Sequence, residues 1–165
     1  MRTTLALASA VLVGLGLAST PATAAPAETH TERGIVLECT GEVDGLSAYV
    51  NLYENDVYSN YVQVILDDDP ERSASREPND IWSEGEFSTS VRIDGRKARI
   101  RGDAHPVGRR KKVHEELDDA GYHVVSDGWH RRLANDVRLR YAGTTVPLTC
   151  APAFRYRLQV TKTPL

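Results

Sequence analysis

Apolar and polar residues alternate most regularly in the last third of the chain. Val137, Leu139 and Tyr141 share one parity, and Arg138 and Arg140 the other. Val146, Leu148 and Cys150 likewise stand opposite Thr145, Pro147 and Thr149. Successive side chains of a strand point to opposite faces, so both runs predict strands with one buried and one wet face. A two-residue turn at Ala142-Gly143 sets Leu139 against Val146 and Val137 against Leu148. The apolar faces then coincide, whereas a one-residue slip would turn them to water. Cys150 thereby points inward. Beyond a break at Pro152, Phe154, Tyr156, Leu158 and Val160 predict another apolar face, with Arg155, Arg157, Gln159 and Thr161 outward.

The same pattern runs through the earlier chain. Residues 34–39 predict a first strand with Ile35, Leu37 and Cys39 inward. Leu46, Ala48, Val50 and Leu52 alternate with Ser47, Tyr49, Asn51 and Tyr53, which predicts a second strand with an aromatic outer face. Glu54-Asn55-Asp56 reads as a turn, and Val62, Val64 and Leu66 mark a third strand over residues 57–66. Residues 67–80 carry two prolines, many charges and nothing apolar larger than alanine, which predicts a long loop. Asp94-Gly95 is a strong hairpin signal that sets Ile93 against Arg96, Val91 against Ala98 and Thr89 against Ile100. Val113, Leu117 and Ala120 have helical spacing before Gly121, which predicts one short helix near residues 109–120. Its charges oppose the helix dipole, with Arg109 to Lys112 at the start and Glu115 to Asp119 at the end. The expectation is an all-β, mainly antiparallel barrel or sandwich of about seven to nine strands, closed by one disulfide.

Composition narrows the setting. Residues 1–24 read as a secretory signal peptide: Arg2, an uncharged apolar stretch over residues 5–18, then Ala22-Thr23-Ala24. Cleavage there leaves 141 of the 165 residues, enough for one domain with a core, preceded by a flexible arm over residues 25–33. No later stretch is apolar enough to span a bilayer. A secreted, monomeric protein is expected. The two cysteines of such a chain pair, so a Cys39–Cys150 disulfide is expected. Net charge is −3 for the whole chain and −4 without Arg2, an acidic balance that does not suggest a nucleic-acid partner. Bases are mostly arginine, with lysine only at 97, 111, 112 and 162, a bias that points to GC-rich bacterial coding.

Candidate chemistry is sparse. His105, His114, His123 and His130 are nine, nine and seven residues apart, spacings that match no zinc-ligand pair on one helix turn or strand face. The acidic residues Asp67, Asp68, Asp69, Glu71 and Asp80 lack the spaced pattern of a calcium loop. No metal or cofactor is expected. The basic run Arg109 to Lys112 suits phosphate, an anionic polymer or a membrane surface, but the following acids oppose its field. No GxSxG, Cys–His pair with a free thiol or glycine-rich phosphate loop marks an active site.

The layout of leader, early strand cysteine, antiparallel strands and late cysteine is similar to that of small periplasmic barrel inhibitors of lysozyme and compact lipocalin-like binders. No motif of either is present, so no family follows. The expected function is a non-catalytic, inhibitor-like binding module for a protein or a small ligand. A cell-envelope structural component, or a hydrolase with an unrecognised site, is the alternative. The binding surface expected is an outer patch of Tyr49, Tyr53 and Tyr61, rimmed by Asp67, Asp68 and Asp69.

Overall fold

The computed structural model describes residues 26–165. The signal peptide expected over residues 1–24 lies outside the described residues. Ten strands follow in order: β1 (Glu28–Val43), β2 (Leu46–Asn55), β3 (Tyr61–Leu66), β4 (Asp69–Arg76) and β5 (Trp82–Ser83), then β6 (Glu86–Ile93), β7 (Arg96–Pro106), β8 (Lys111–Asp119), β9 (Tyr122–Tyr141) and β10 (Thr144–Pro164). All pairings are antiparallel. They form one sheet in the order β4-β3-β2-β1-β10-β9-β7-β6-β5, with β8 beside the first half of β9. The sheet curls into a half-barrel, bringing β3 and β4 against β6. Leu37, Cys39, Val50, Leu52, Val64, Ile100 and Leu139 are fully buried on its inner side.

Turn chemistry explains most of this order. Asp44-Gly45, Glu84-Gly85, Asp94-Gly95, Ala120-Gly121 and Ala142-Gly143 each have positive φ at both residues, the conformation of a two-residue hairpin turn whose twist matches the strands. Both registers expected from the sequence are observed. Ile93 faces Arg96, Val91 faces Ala98 and Thr89 faces Ile100. Leu139 faces Val146 and Val137 faces Leu148.

Three expectations are corrected. Residues 109–120 hold no helix: Lys111–Asp119 is strand β8, hairpinned onto β9 through Ala120-Gly121. The adverse dipole charges disfavour a helix there, and Tyr122, Val124 and Val125 supply a β-forming partner. Residues 67–80 are not one loop, because Asp69–Arg76 pairs with β3 as an edge strand. Its turn, Asp67-Asp68, has positive φ at both residues without any glycine. The flexible arm expected over residues 25–33 is strand from Glu28 onward, and the first half of β1 pairs with the end of β10.

Beyond the half-barrel, β8, the first half of β9, the second half of β10 and the first half of β1 continue as a four-stranded wing. One irregularity sets its character. Between Leu148 and Phe154, β10 carries one residue more than either neighbour, and its parity flips there. Val146 and Leu148 face the barrel core, whereas beyond the bulge Ala153, Arg155 and Arg157 take that side. Tyr156 and Val160 are buried as expected, but on the outer side of the sheet, apart from the main core. Gly34 lies directly opposite Tyr156, whose ring occupies the space of an absent Cβ at 2.6 Å.

The Cys39–Cys150 disulfide forms at this bulge, joining neighbouring strands rather than opposite ends of the domain. It closes a loop 111 residues apart in sequence, which removes about 4–5 kcal/mol of unfolded-chain entropy. Reduction under native conditions is expected to lower the thermal midpoint by about 10 °C or more. Calorimetry with and without reductant checks this, and an unchanged midpoint would contradict it.

Candidate anion-binding site

Parity assigns each wing residue to a face. On the side continuous with the barrel core, one row crosses four strands as Lys112, Trp129, Arg157 and Arg33. The next row toward the barrel places Arg131 beside Arg155 and then Ile35. Arg110, just before β8, lays its guanidinium over the Trp129 ring at 4.2 Å from the centroid. Arg33, Arg110, Trp129, Arg131, Arg155 and Arg157 line a cleft of about 290 Å³. Among the described residues, no carboxylate lies within ion-pair distance of Arg33, Arg110, Lys112, Arg131, Arg155 or Arg157. Arg131 donates through Nε to the Gly108 carbonyl at 3.1 Å, which fixes its fork.

Further out on this face the charge reverses. His114 Nδ1 meets Asp127 at 2.7 Å and its Nε2 meets Glu116 at 3.1 Å. His123 Nδ1 meets Asp118 at 2.8 Å. The hydrogen bond to Asp127, then that carboxylate's charge, raises the His114 pKa above its ordinary value. The wing therefore presents cations near the barrel mouth and imidazole–carboxylate pairs at its tip. His105 and His130 lie elsewhere: His105 beside Asp103 on β7, His130 against the Phe154 ring. Among the described residues, no three histidine, cysteine or acidic side chains converge as metal ligands.

A buried polar network on the opposite side holds the wing to β2. Asn55 Nδ2 donates to the Tyr156 hydroxyl at 2.7 Å and the Tyr53 hydroxyl at 2.8 Å, and Tyr156 donates to Tyr53 at 3.0 Å. Asn55 Oδ1 accepts from the backbone of Val57 and Tyr58, folding the connection to β3 back over the outer face. Glu32, nearly buried, meets His30 at 2.8 Å. Burial, then the bond to Tyr53, pushes the Tyr156 hydroxyl pKa up, so that hydroxyl keeps its proton as a donor. Asn55 is the hub, and Tyr156, opposite Gly34 and next to Arg157, ties the wing to it.

The expected tyrosine patch is placed as follows. Tyr53 and Tyr61 are directly opposite on the outer face of β2 and β3, and Tyr49 lies four residues along, opposite Ile65. All three are half-buried, and Tyr53 is tied into the Asn55 network. Asp67, Asp68 and Asp69 sit at the Tyr49 end, away from Tyr61. Asp67 accepts from Ser47 N and meets Arg72, and Asp69 accepts from Glu71 N, so two of these carboxylates shape their own turn.

Two more surfaces carry cations. On the outer face of β7 and β9, Arg99 lies opposite Arg140 and Arg101 opposite Arg138, and Arg138 meets Asp136 at 3.3 Å. At the β10 bulge, a cleft of about 710 Å³ has an apolar wall that includes Leu133, Pro152 and Phe154, with Arg109, Lys111 and Arg132 at its rim. The basic run thus divides by parity, Arg110 and Lys112 to one face and Arg109 and Lys111 to the other. Sequence reasoning missed Arg33, Trp129, Arg131, Arg155 and Arg157 as a group. The signal present was the one-parity pair Arg155 and Arg157 on β10, whose face is hidden by the flip at the bulge. No protein-family model matches the chain, and no curated protein and no solved structure shows significant similarity to it.

Replacing Asn55 by Ala removes the amide donor shared by the Tyr53 and Tyr156 hydroxyls, which keep each other, and leaves the Val57 and Tyr58 amides without their acceptor. A loss of about 2–3 kcal/mol is expected. Denaturant unfolding checks it, and a loss below about 0.5 kcal/mol would mean the network is not structural.

Proposed function

We propose that the protein is a binding module for a polyanion, a ligand with repeated phosphate, sulfate or carboxylate groups, held on the inner face of the wing. The observation that carries this is the row Lys112, Trp129, Arg157 and Arg33 with Arg131, Arg155 and Arg110 around it and no carboxylate partner among the described residues. Arginine forks bind such groups in bidentate fashion, with geometric selectivity that lysine lacks. Neighbouring strands lie about 4.8 Å apart, and same-face residues along a strand about 7 Å apart. That grid suits a chain of anions better than a single one.

The cost of the arrangement supports the reading. Arg33 faces Arg157 and Arg131 faces Arg155 directly across neighbouring strands. Each like-charge pair destabilises the sheet by about 0.2–1 kcal/mol, which a bound polyanion would reverse. The chain is acidic as a whole, so the basic face stands out by segregation rather than by excess. A second reading has its own support: the cleft at the bulge, apolar-walled with a cationic rim, suits a small amphiphilic anion.

Titration with short linear polyphosphate tests the proposal. Binding is expected to weaken steeply as salt rises. Arg33→Gln and Arg157→Gln are each expected to cost about tenfold or more in affinity, as for a charge-assisted hydrogen bond, while Arg140→Gln on the outer face leaves it nearly unchanged. Absence of binding at low salt, or equal losses for all three variants, would overturn it. Loss on Arg132→Gln alone would move the site to the cleft.

A further inference from the structure

We propose that β8 is a dimerisation edge, and that its partner is β8 of a second copy of this chain. One edge of β8 pairs with β9, and among the described residues the other edge has no partner. Eight of its nine residues are exposed, and Leu117 keeps 50% of its surface. An open strand edge is a template for another strand, and proteins ordinarily guard it with charge.

The charges of β8 select one partner instead of repelling all. Its sequence is KKVHEELDD. Antiparallel pairing with itself, centred on Glu115, sets Lys111 against Asp119, Lys112 against Asp118, Val113 against Leu117 and His114 against Glu116 of the other copy. Every pair except the central one is opposite in charge, apolar on apolar, or imidazole on carboxylate. Opposite charges facing across a strand pair are favourable, and like charges are not. Centring on His114 instead sets Lys111 against Leu117 and Val113 against Glu115. Centring on Glu116 sets Val113 against Asp119 and Glu115 against Leu117. The His114 centring keeps Lys112 against Glu116 but neither alternative pairs both lysines with carboxylates, so within β8 the charge pattern favours the Glu115 register.

This pairing is isologous, with a twofold axis through Glu115, so it closes at two copies. It joins two wings into one continuous sheet whose inner faces lie on the same side. The Arg33 and Arg157 rows of both copies then face one ligand, although the pairing itself does not depend on that ligand. The monomer expected from the sequence would be the dissociated form.

Sedimentation equilibrium of the unmodified protein tests the pairing, and a reversible dimer is expected. The double variants Lys111→Asp/Lys112→Asp and Asp118→Lys/Asp119→Lys each place like charges together in this register and are expected to be monomeric. Mixed in equal amounts, they are expected to form a heterodimer, because every swapped charge then meets its opposite. Glu115→Gln removes the only like-charge pair and is expected to tighten association about two- to fivefold. All these positions are exposed, and circular dichroism checks that each variant keeps its fold. A protein monomeric at every soluble concentration, swapped variants that still dimerise alone, or a mixture that stays monomeric would each overturn the proposal.

Discussion

One extra residue in β10 decides what the rest of the chain presents. Strand parity is rigid, so a strand whose odd residues face the core continues to send them that way. β9 does this for its whole length: Trp129, Arg131, Leu133, Val137 and Leu139 share a side. β10 does not, because the bulge before Phe154 exchanges its faces. Without it, Tyr156 and Val160 would stand beside Trp129, and Arg155 and Arg157 would lie on the outer side with Asn55. The disulfide at Cys150 pins the strand to β1 where the exchange happens. The same sheet is therefore apolar inside the half-barrel and basic inside the wing.

The outer face follows from the same event. Burying Tyr156 there requires partners for its hydroxyl, and Asn55 and Tyr53 supply them. It also requires a glycine at 34, since a Cβ would meet the Glu54 carbonyl and the Tyr156 ring. Asn55 in turn folds the β2–β3 connection across the wing. The arginine row is thus backed by a hydrogen-bonded layer in which Glu32, Asn55 and Tyr156 are buried, and its backbone is held in place. A fixed backbone lets arginine forks meet a ligand with little further ordering cost.

How much was legible in the sequence depends on the turn. Where glycine marked the second turn residue and apolar residues alternated on both sides, as at Asp94-Gly95 and Ala142-Gly143, the hairpin and its register could be derived. Asp67-Asp68 adopts the same backbone through aspartate's tolerance of positive φ, and β4 beyond it sends only Ala74 toward the core. A strand with one small apolar residue has no period to read. β8 failed for a related reason: as an exposed edge it has no buried face, so Val113 and Leu117 fitted a helical spacing as well as a strand spacing. The cysteines could be paired because each fell on an inward parity. The arginine face could not be found, since the bulge that creates it shows in the sequence only as a proline.

The proposed polyanion site is the inner face of the wing, not the outer arginine block of β7 and β9. The most direct measurement is a two-dimensional NMR titration of the labelled protein with polyphosphate, following backbone amides, arginine Nε–H and the two indole N–H groups. Perturbations confined to Arg33, Arg110, Trp129, Arg131, Arg155 and Arg157, with the Trp129 indole moving and that of Trp82 still, are the predicted result. Shifts centred on Arg99, Arg101, Arg138 and Arg140, with Trp129 unchanged, would contradict it.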